Sequence, residues 1–224
     1  MEPVGITLLS MLGIILFLTY RRDRSRLKNQ RLSMFNDCLR LLGNHRLVQD
    51  DLSYPVLTGA YAGRRVRIEP VVELVGFRKI PSLWLLLTVK EELPLAGRFD
   101  VVARVHNIEF YSPAGDLPVW IDTPETWPAH TTLKADYSAS AFPLTVLATH
   151  VEALFADPRA KELLVSPRGV RIVYQAKSGE RSNYLALRSA KFSEAGLAPE
   201  LLQQLLDRAV SVCRDLAGSA VYEQ

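Results

Sequence analysis

The side chains that could do chemistry are scattered along this chain. Its histidines are His45, His106, His130 and His150, and none has a second ligand-type residue at the spacing of a metal motif such as HExxH or CxxC. The sequence holds no GxSxG elbow, no Walker loop and no GxGxxG segment after a strand. Its densest glycine stretch, Gly59 to Gly63, falls at a predicted hairpin turn. The sequence therefore predicts no catalytic residue, no metal site and no cofactor.

The cysteines and the acid pairs also have simple structural explanations. Cys38 and Cys213 fall on apolar faces of predicted helices, which favours small buried hydrophobic residues over a disulfide or a metal site. The pairs Asp50-Asp51 and Glu91-Glu92 lie at predicted loop or strand edges, where solvated charge explains them. Two carboxylates in acid–base catalysis need opposed environments, which no pattern here indicates. We therefore expect a protein that is not an enzyme.

The residues best suited to binding are aromatic. Trp120 and Trp127 lie in residues 112–131, a segment with four prolines. Proline at that density breaks both helix and sheet, so we expect a long ordered loop. Its tryptophans either cover the core or form an exposed contact patch, and they are candidates for partner binding.

An unbroken apolar run extends from Val4 to Tyr20. Its seventeen residues form a helix of about 26 Å, close to the hydrocarbon core of about 30 Å. A cleavable signal peptide needs a basic start and a small-residue cleavage site, whereas this run follows an acid and ends in Tyr20-Arg21-Arg22. A buried or interfacial helix is the other alternative. We predict a retained transmembrane anchor over residues 1–22.

Three small residues, Gly5, Ser10 and Gly13, lie inside this run. Small residues let two helices approach closely, although these three form no GxxxG pair. They are candidates for partner binding by helix–helix contact. The alternative is ordinary composition of an apolar helix.

A basic cluster follows the run. Residues 21–31 hold six bases and one acid, and because this cluster accounts for the formal net charge of +3, the rest of the chain is nearly neutral. The sequence therefore predicts no basic face of the kind that binds nucleic acid. Basic flanks stay in the cytoplasm, so we expect a single-pass protein of the bacterial inner membrane with its amino terminus outside. The residues predicted to face the membrane or its lipids are Tyr20, Arg21, Arg22, Arg24, Arg26 and Lys28.

The remaining chain predicts an α+β class: an N-terminal transmembrane helix, then a cytoplasmic domain of largely antiparallel sheet with helices packed on one face. Residues 23–53 form a basic juxtamembrane helix and linker, residues 54–217 the domain with halves 54–111 and 132–217, and residues 218–224 a tail. The predicted strands are Val56–Ala62, Arg65–Val72, Leu83–Val89, Phe99–Val105, Ile108–Tyr111, Thr132–Ser138, Val170–Lys177 and Asn183–Ala190. The predicted helices are Ser25–Leu42, Pro143–Phe155, Asp157–Leu164 and one from Pro199 to Gly218.

One stretch resembles a known class of proteins. The pattern Leu57-x-Gly59-x-Tyr61-x-Gly63-Arg64-x-Val66, followed by an apolar strand and a final APELLQQLLDRAVSVC helix, is similar to uncharacterised bacterial single-pass membrane proteins with a G-x-Y-x-G-R-x-V hairpin domain. The similarity covers residues 54–217. It implies a membrane-tethered bacterial α+β domain, and because the class has no established activity it implies no particular one for this chain.

Two functions fit these observations. The first is a non-catalytic accessory subunit of a larger bacterial membrane protein complex, respiratory or photosynthetic complexes being examples, with other membrane-protein subunits as partners. The alternative is a membrane-tethered binding domain that senses a lipid or a small ligand through a pocket between sheet and helices.

Overall fold

The computed structural model describes residues 3–73, 80–103, 112–136, 143–180 and 192–219, with side chains from Ser10 to Gly218. The helices are α1 (Pro3–Leu32), α2 (Leu144–Phe155) and α3 (Pro199–Ser219), with 3-10 helices at Ser33–Leu41 and Pro113–Gly115. The strands are β1 (Gly43–Val48), β2 (Val56–Tyr61), β3 (Arg64–Glu73), β4 (Ser82–Lys90), β5 (Phe99–Ala103), β6 (Val119–Ile121), β7 (Thr131–Ala135), β8 (Ala160–Ser166) and β9 (Gly169–Ser178).

The nine strands form one sheet in the order β1-β2-β3-β4-β9-β8-β5-β7-β6, and every pair is antiparallel. The centre of the sheet is the pair β4 and β9, in which Leu85 is opposite Tyr174 and Leu87 is opposite Ile172. The two predicted halves of the domain therefore share one continuous sheet.

The sheet has two unlike faces because successive side chains of a strand point to opposite sides. On one face, alternate residues of β4 such as Leu83, Leu85 and Leu87 are fully buried in the core. Helix α3 packs there on β4 and β9, and α2 packs on β8 and on α3. The other face carries more polar side chains, including Arg67, Thr88 and Arg171 at paired positions.

The prediction of a transmembrane helix is wrong. Among the residues that the structure describes, no helix combines the length and the apolar character that crossing a membrane requires. The apolar run from Val4 to Tyr20 occupies only the first part of α1, Pro3–Leu32. The same helix continues without interruption into the charged residues 21–31 and ends at Leu32. The predicted single-pass topology and inner-membrane location, drawn from that helix, are corrected with it.

Several element boundaries also differ from the predictions. Residues 160–166 form strand β8 rather than the end of a helix, because they pair with β5 on one side and β9 on the other. Strand β1 pairs with β2, so the sheet begins before residue 54. The proline-rich segment 112–131 contains strand β6. The predicted strands at residues 108–111 and 183–190 lie outside the described residues.

Candidate interaction site

The first described half of α1 is an apolar surface that no other described residue of the chain covers. Its large apolar side chains from Met11 to Tyr20 are between 53% and 60% exposed. They are Met11, Leu12, Ile14, Ile15, Leu16, Phe17, Leu18 and Tyr20, which together occupy every side of the helix. The Thr19 hydroxyl bonds to the Ile15 carbonyl at 3.0 Å, so its polar atom is satisfied inside the helix. A helix that is apolar all round is normally buried.

The small residues of α1 lie on this same surface where their side chains are described. Ser10 is exposed. A Cβ added at Gly13 would meet nothing within 4 Å, so the approach to the helix is open there. The side-chain position of Gly5 lies outside the described residues.

The second half of α1 is fastened to the loop between β1 and β2. Arg24 forms an ion pair with Asp51, and the Arg31 guanidinium donates to the Leu52 carbonyl. The Gln49 side-chain amide donates to the Lys28 carbonyl at 3.0 Å. These contacts fix the direction of α1, and its apolar half is exposed within the described part of the chain.

The basic residues of α1 have different surroundings. Arg21 lies over the Phe17 ring, with its guanidinium carbon 5.8 Å from the ring centroid. Hydrogen bonding to Asp51 raises the pKa of Arg24, and the same contact lowers the pKa of Asp51. Arg22, Arg26 and Lys28 have exposed side chains. The basic residues predicted to face lipid therefore lie on α1 directly after its apolar half, with their side chains exposed.

The two tryptophans predicted as partner-binding candidates differ in exposure. Trp120 on β6 is 66% exposed and stacks under Lys134, whose ammonium lies 4.4 Å from the ring centroid. Trp127 is 5% exposed and belongs to the core. Only Trp120 therefore offers a surface to a partner.

Two buried carboxylates, which the sequence reasoning did not single out, lie on the helix-free face of the sheet. Asp100 on β5 and Glu162 on β8 are 0% and 1% exposed. Ser112 donates to Asp100 at 2.6 Å, and Arg171 of β9 forms an ion pair with Glu162. The alternation of side chains along β5 is the sequence pattern that could have revealed Asp100, because Asp100 and Val102 share a face opposite Phe99 and Val101.

Two further titratable pairs involve helix α3. Tyr61 donates to Asp207 of α3 at 2.6 Å, and burial together with this carboxylate raises the pKa of Tyr61 to about 12. His150 of α2 lies 2.8 Å from Asp215 of α3. Within the described part of the chain, no group of three or more His, Cys, Asp or Glu side chains could hold a metal ion.

Both cysteines are buried, and neither forms a disulfide. Burial raises the pKa of Cys38 to about 11 and that of Cys213 to about 12. A thiol held in its neutral form and away from solvent is a poor nucleophile.

Comparisons with known proteins add little to this geometry. No family model matches the chain, and no curated protein matches it. Among solved structures it is similar to the crystal structure of the mycobacterial trehalose monomycolate transport factor A, TtfA, with a TM-score of 0.42 and 8% identity. That likeness covers 86% of this chain and 93% of the other. At this TM-score it supports no conclusion about the chain.

Proposed function

We propose that this protein is a non-catalytic accessory subunit of a larger complex, held there by the apolar half of α1. The observation that carries the proposal is the exposure of its eight large apolar side chains on all sides of one helix. Monomeric proteins rarely expose a contiguous apolar patch beyond a few hundred Å², and larger ones mark contact sites. A surface that encircles a helix is best covered by apolar helices of partner subunits on several sides.

The anchoring of α1 supports this arrangement. Its second half is held by the ion pair of Arg24 with Asp51 and by the bond from Arg31 to Leu52. A helix whose base is fixed loses less freedom when its other half is bound, so less free energy is lost on association. That the host complex is a bacterial membrane protein complex stays a prediction.

The test is co-purification of the tagged full chain from its native cells in mild detergent. We expect one complex of constant stoichiometry in which the wild-type chain elutes with its partners. In the double variant Leu12→Ser and Leu16→Ser, two apolar contacts one helical turn apart are lost, and the chain should elute alone.

The matched control is the double variant Val48→Ser and Ile80→Ser. These residues are also exposed and apolar, at 48% and 40%, and they lie in β1 and just before β4 rather than in the apolar half of α1. The control should keep the complex intact. Elution of the wild-type chain alone as a monomer refutes the proposal, and so does a stable oligomer of this chain without other subunits.

A further inference from the structure

A cavity of about 80 Å³ lies where the base of α1 meets the end of β9 and the segment before α3. Its apolar walls include Leu27 and Met34 on the helix side, and Tyr54 and Phe192 across from them. Two cations, Arg31 and Lys177, also line it. About 10–15 Å³ of such space holds one water, so this cavity admits a group of several heavy atoms.

The Arg31 guanidinium is only partly satisfied by the protein. One terminal nitrogen donates to the Leu52 carbonyl, and the guanidinium carbon lies 5.1 Å from the centroid of the Tyr54 ring. Its Nε is buried and has no hydrogen-bond partner among the described residues. A buried donor of a charged group left without an acceptor costs free energy that a bound acceptor restores.

The Lys177 ammonium also has a hydrogen-bond donor that no described residue accepts. Its ammonium donates to the Ser193 carbonyl at 2.9 Å and to the Ala195 carbonyl. An ammonium carries three donors, so one remains for a ligand. Its side chain is half-buried, and this burial lowers the pKa of Lys177. Glu194 also lines the cavity, but its side chain is exposed and its charge is screened by solvent.

Contacts beside the cavity hold the segment before α3 against the 3-10 helix and the loop before β2. The Leu197 amide donates to the Met34 carbonyl at 2.8 Å, and the Cys38 thiol donates to the Leu197 carbonyl at 3.3 Å. The ring of Tyr54 packs edge-on against Phe192 with centroids 6.5 Å apart. The two cations are thus presented from opposite elements by a rigid frame, which limits the entropy lost on binding.

We infer that this cavity binds a phosphate group between Arg31 Nε and Lys177 Nζ. A phosphate carries a charge of about −1.5 to −2 and three strong acceptor oxygens, which matches two cations with free donors. The source is either free phosphate or a phosphate monoester whose short apolar chain lies along the apolar walls. This inference is independent of the proposed role in a complex.

The experiment titrates the ¹⁵N-labelled full chain with inorganic phosphate, with butyl phosphate and with acetate at constant ionic strength. The Nε–H signal of Arg31, assigned by its absence in Arg31→Lys, should shift in a saturable manner. Equal binding of both phosphates identifies free phosphate as the source, and tighter binding of butyl phosphate identifies an ester. Either result supports the site. Acetate that binds as tightly as both phosphates overturns the assignment to a doubly charged group.

The variants test the two donors separately. Arg31→Gln and Lys177→Gln should each weaken phosphate binding about tenfold or more, because each removes a charge-assisted hydrogen bond. The controls Arg26→Gln, exposed on the same helix, and Lys90→Gln, exposed on the sheet, should bind as the wild type does. If Arg31→Gln does not fold, Arg31→Lys keeps the charge without Nε and should also bind more weakly. No saturable shift up to about 10 mM phosphate, or equal losses in Arg26→Gln and Arg31→Gln, overturns the inference.

Discussion

Replacing Gly169 by alanine should destabilise the protein more than any other glycine-to-alanine change at a described turn. Gly169 begins β9 with φ at +130°, a backbone conformation that L residues rarely adopt. A Cβ added there would lie 2.0 Å from the carbonyl oxygen of Val89 on the neighbouring strand β4. That oxygen belongs to the backbone, so no side-chain rotation relieves the contact. The central strands β4 and β9 must separate to admit the methyl group.

The expected loss follows from two contributions. A residue forced into a sparsely populated backbone region costs about 1–3 kcal/mol. Forcing extra volume into a packed site costs about 1–3 kcal/mol more. Together these predict a loss of about 4 kcal/mol in the free energy of unfolding. For a chain of this size, 1 kcal/mol lowers Tm by about 2–4 °C, so Tm should fall by about 8–16 °C.

Substitutions at two other glycines distinguish the cost of backbone strain from the cost of steric overlap. Gly63 has φ at +78° with nothing within 4 Å of an added Cβ, so Gly63→Ala should cost only about 1 kcal/mol. Gly115 has open space and no positive φ, so Gly115→Ala should be nearly neutral. The assay is urea unfolding and a thermal scan, both followed by circular dichroism. A loss in Gly169→Ala no larger than that in Gly63→Ala would refute the reasoning.

Two further predictions concern titratable groups. Burial opposes ionisation of Asp157, but hydrogen bonds from Arg159 and from the buried Tyr174 outweigh it and lower the pKa of Asp157 to about 2. The ionised carboxylate therefore stabilises the fold above about pH 4, and this contribution is lost as pH falls through about 2. Tyr174→Phe should cost about 1 kcal/mol at pH 7, discounted for the partial exposure of Asp157, and progressively less below pH 4 in urea unfolding; a cost that does not change with pH would contradict this. Cys38 and Cys213 should react with a disulfide reagent at pH 8 only as the chain unfolds, and rapid reaction of either thiol in the native protein would count against their burial.

Much of the sheet could be predicted from local patterns. Strands β2 and β3 follow from a glycine turn at Gly63 and from the alternation of Val66 and Ile68 with arginines. The apolar run of β4 predicted a strand covered on both sides. The strand forms and its core-facing leucines are fully buried, but among the described elements helices pack on only one of its faces. These signals are local, and so sequence alone carries them.

Other elements depend on contacts distant in sequence. Strand β8 follows Asp157-Pro158, a pattern that also starts helices, and only its pairing with β5 and β9 decides between the two. The same limit applies to the cavity at the base of α1, whose cations Arg31 and Lys177 are far apart in the chain. The apolar run at residues 4–20 predicted a membrane span, but α1 continues into the charged residues 21–31, and no described helix combines the length and apolar character that a span requires.

The pairing of β4 with β9 has a consequence for biosynthesis. Lys90 pairs with Gly169 and Ser82 with Ser178, so each residue of β4 leaves the ribosome 79 to 96 residues before its partner. At about 5–20 residues per second, the edge of β4 that later pairs with β9 lacks its hydrogen-bonded neighbour for about 4–19 s. Unpaired apolar strands are templates for association between chains. The nascent protein therefore passes through a period in which Leu83 to Val89 depend on temporary shielding, and its yield should depend on how fast the second half of the chain is translated.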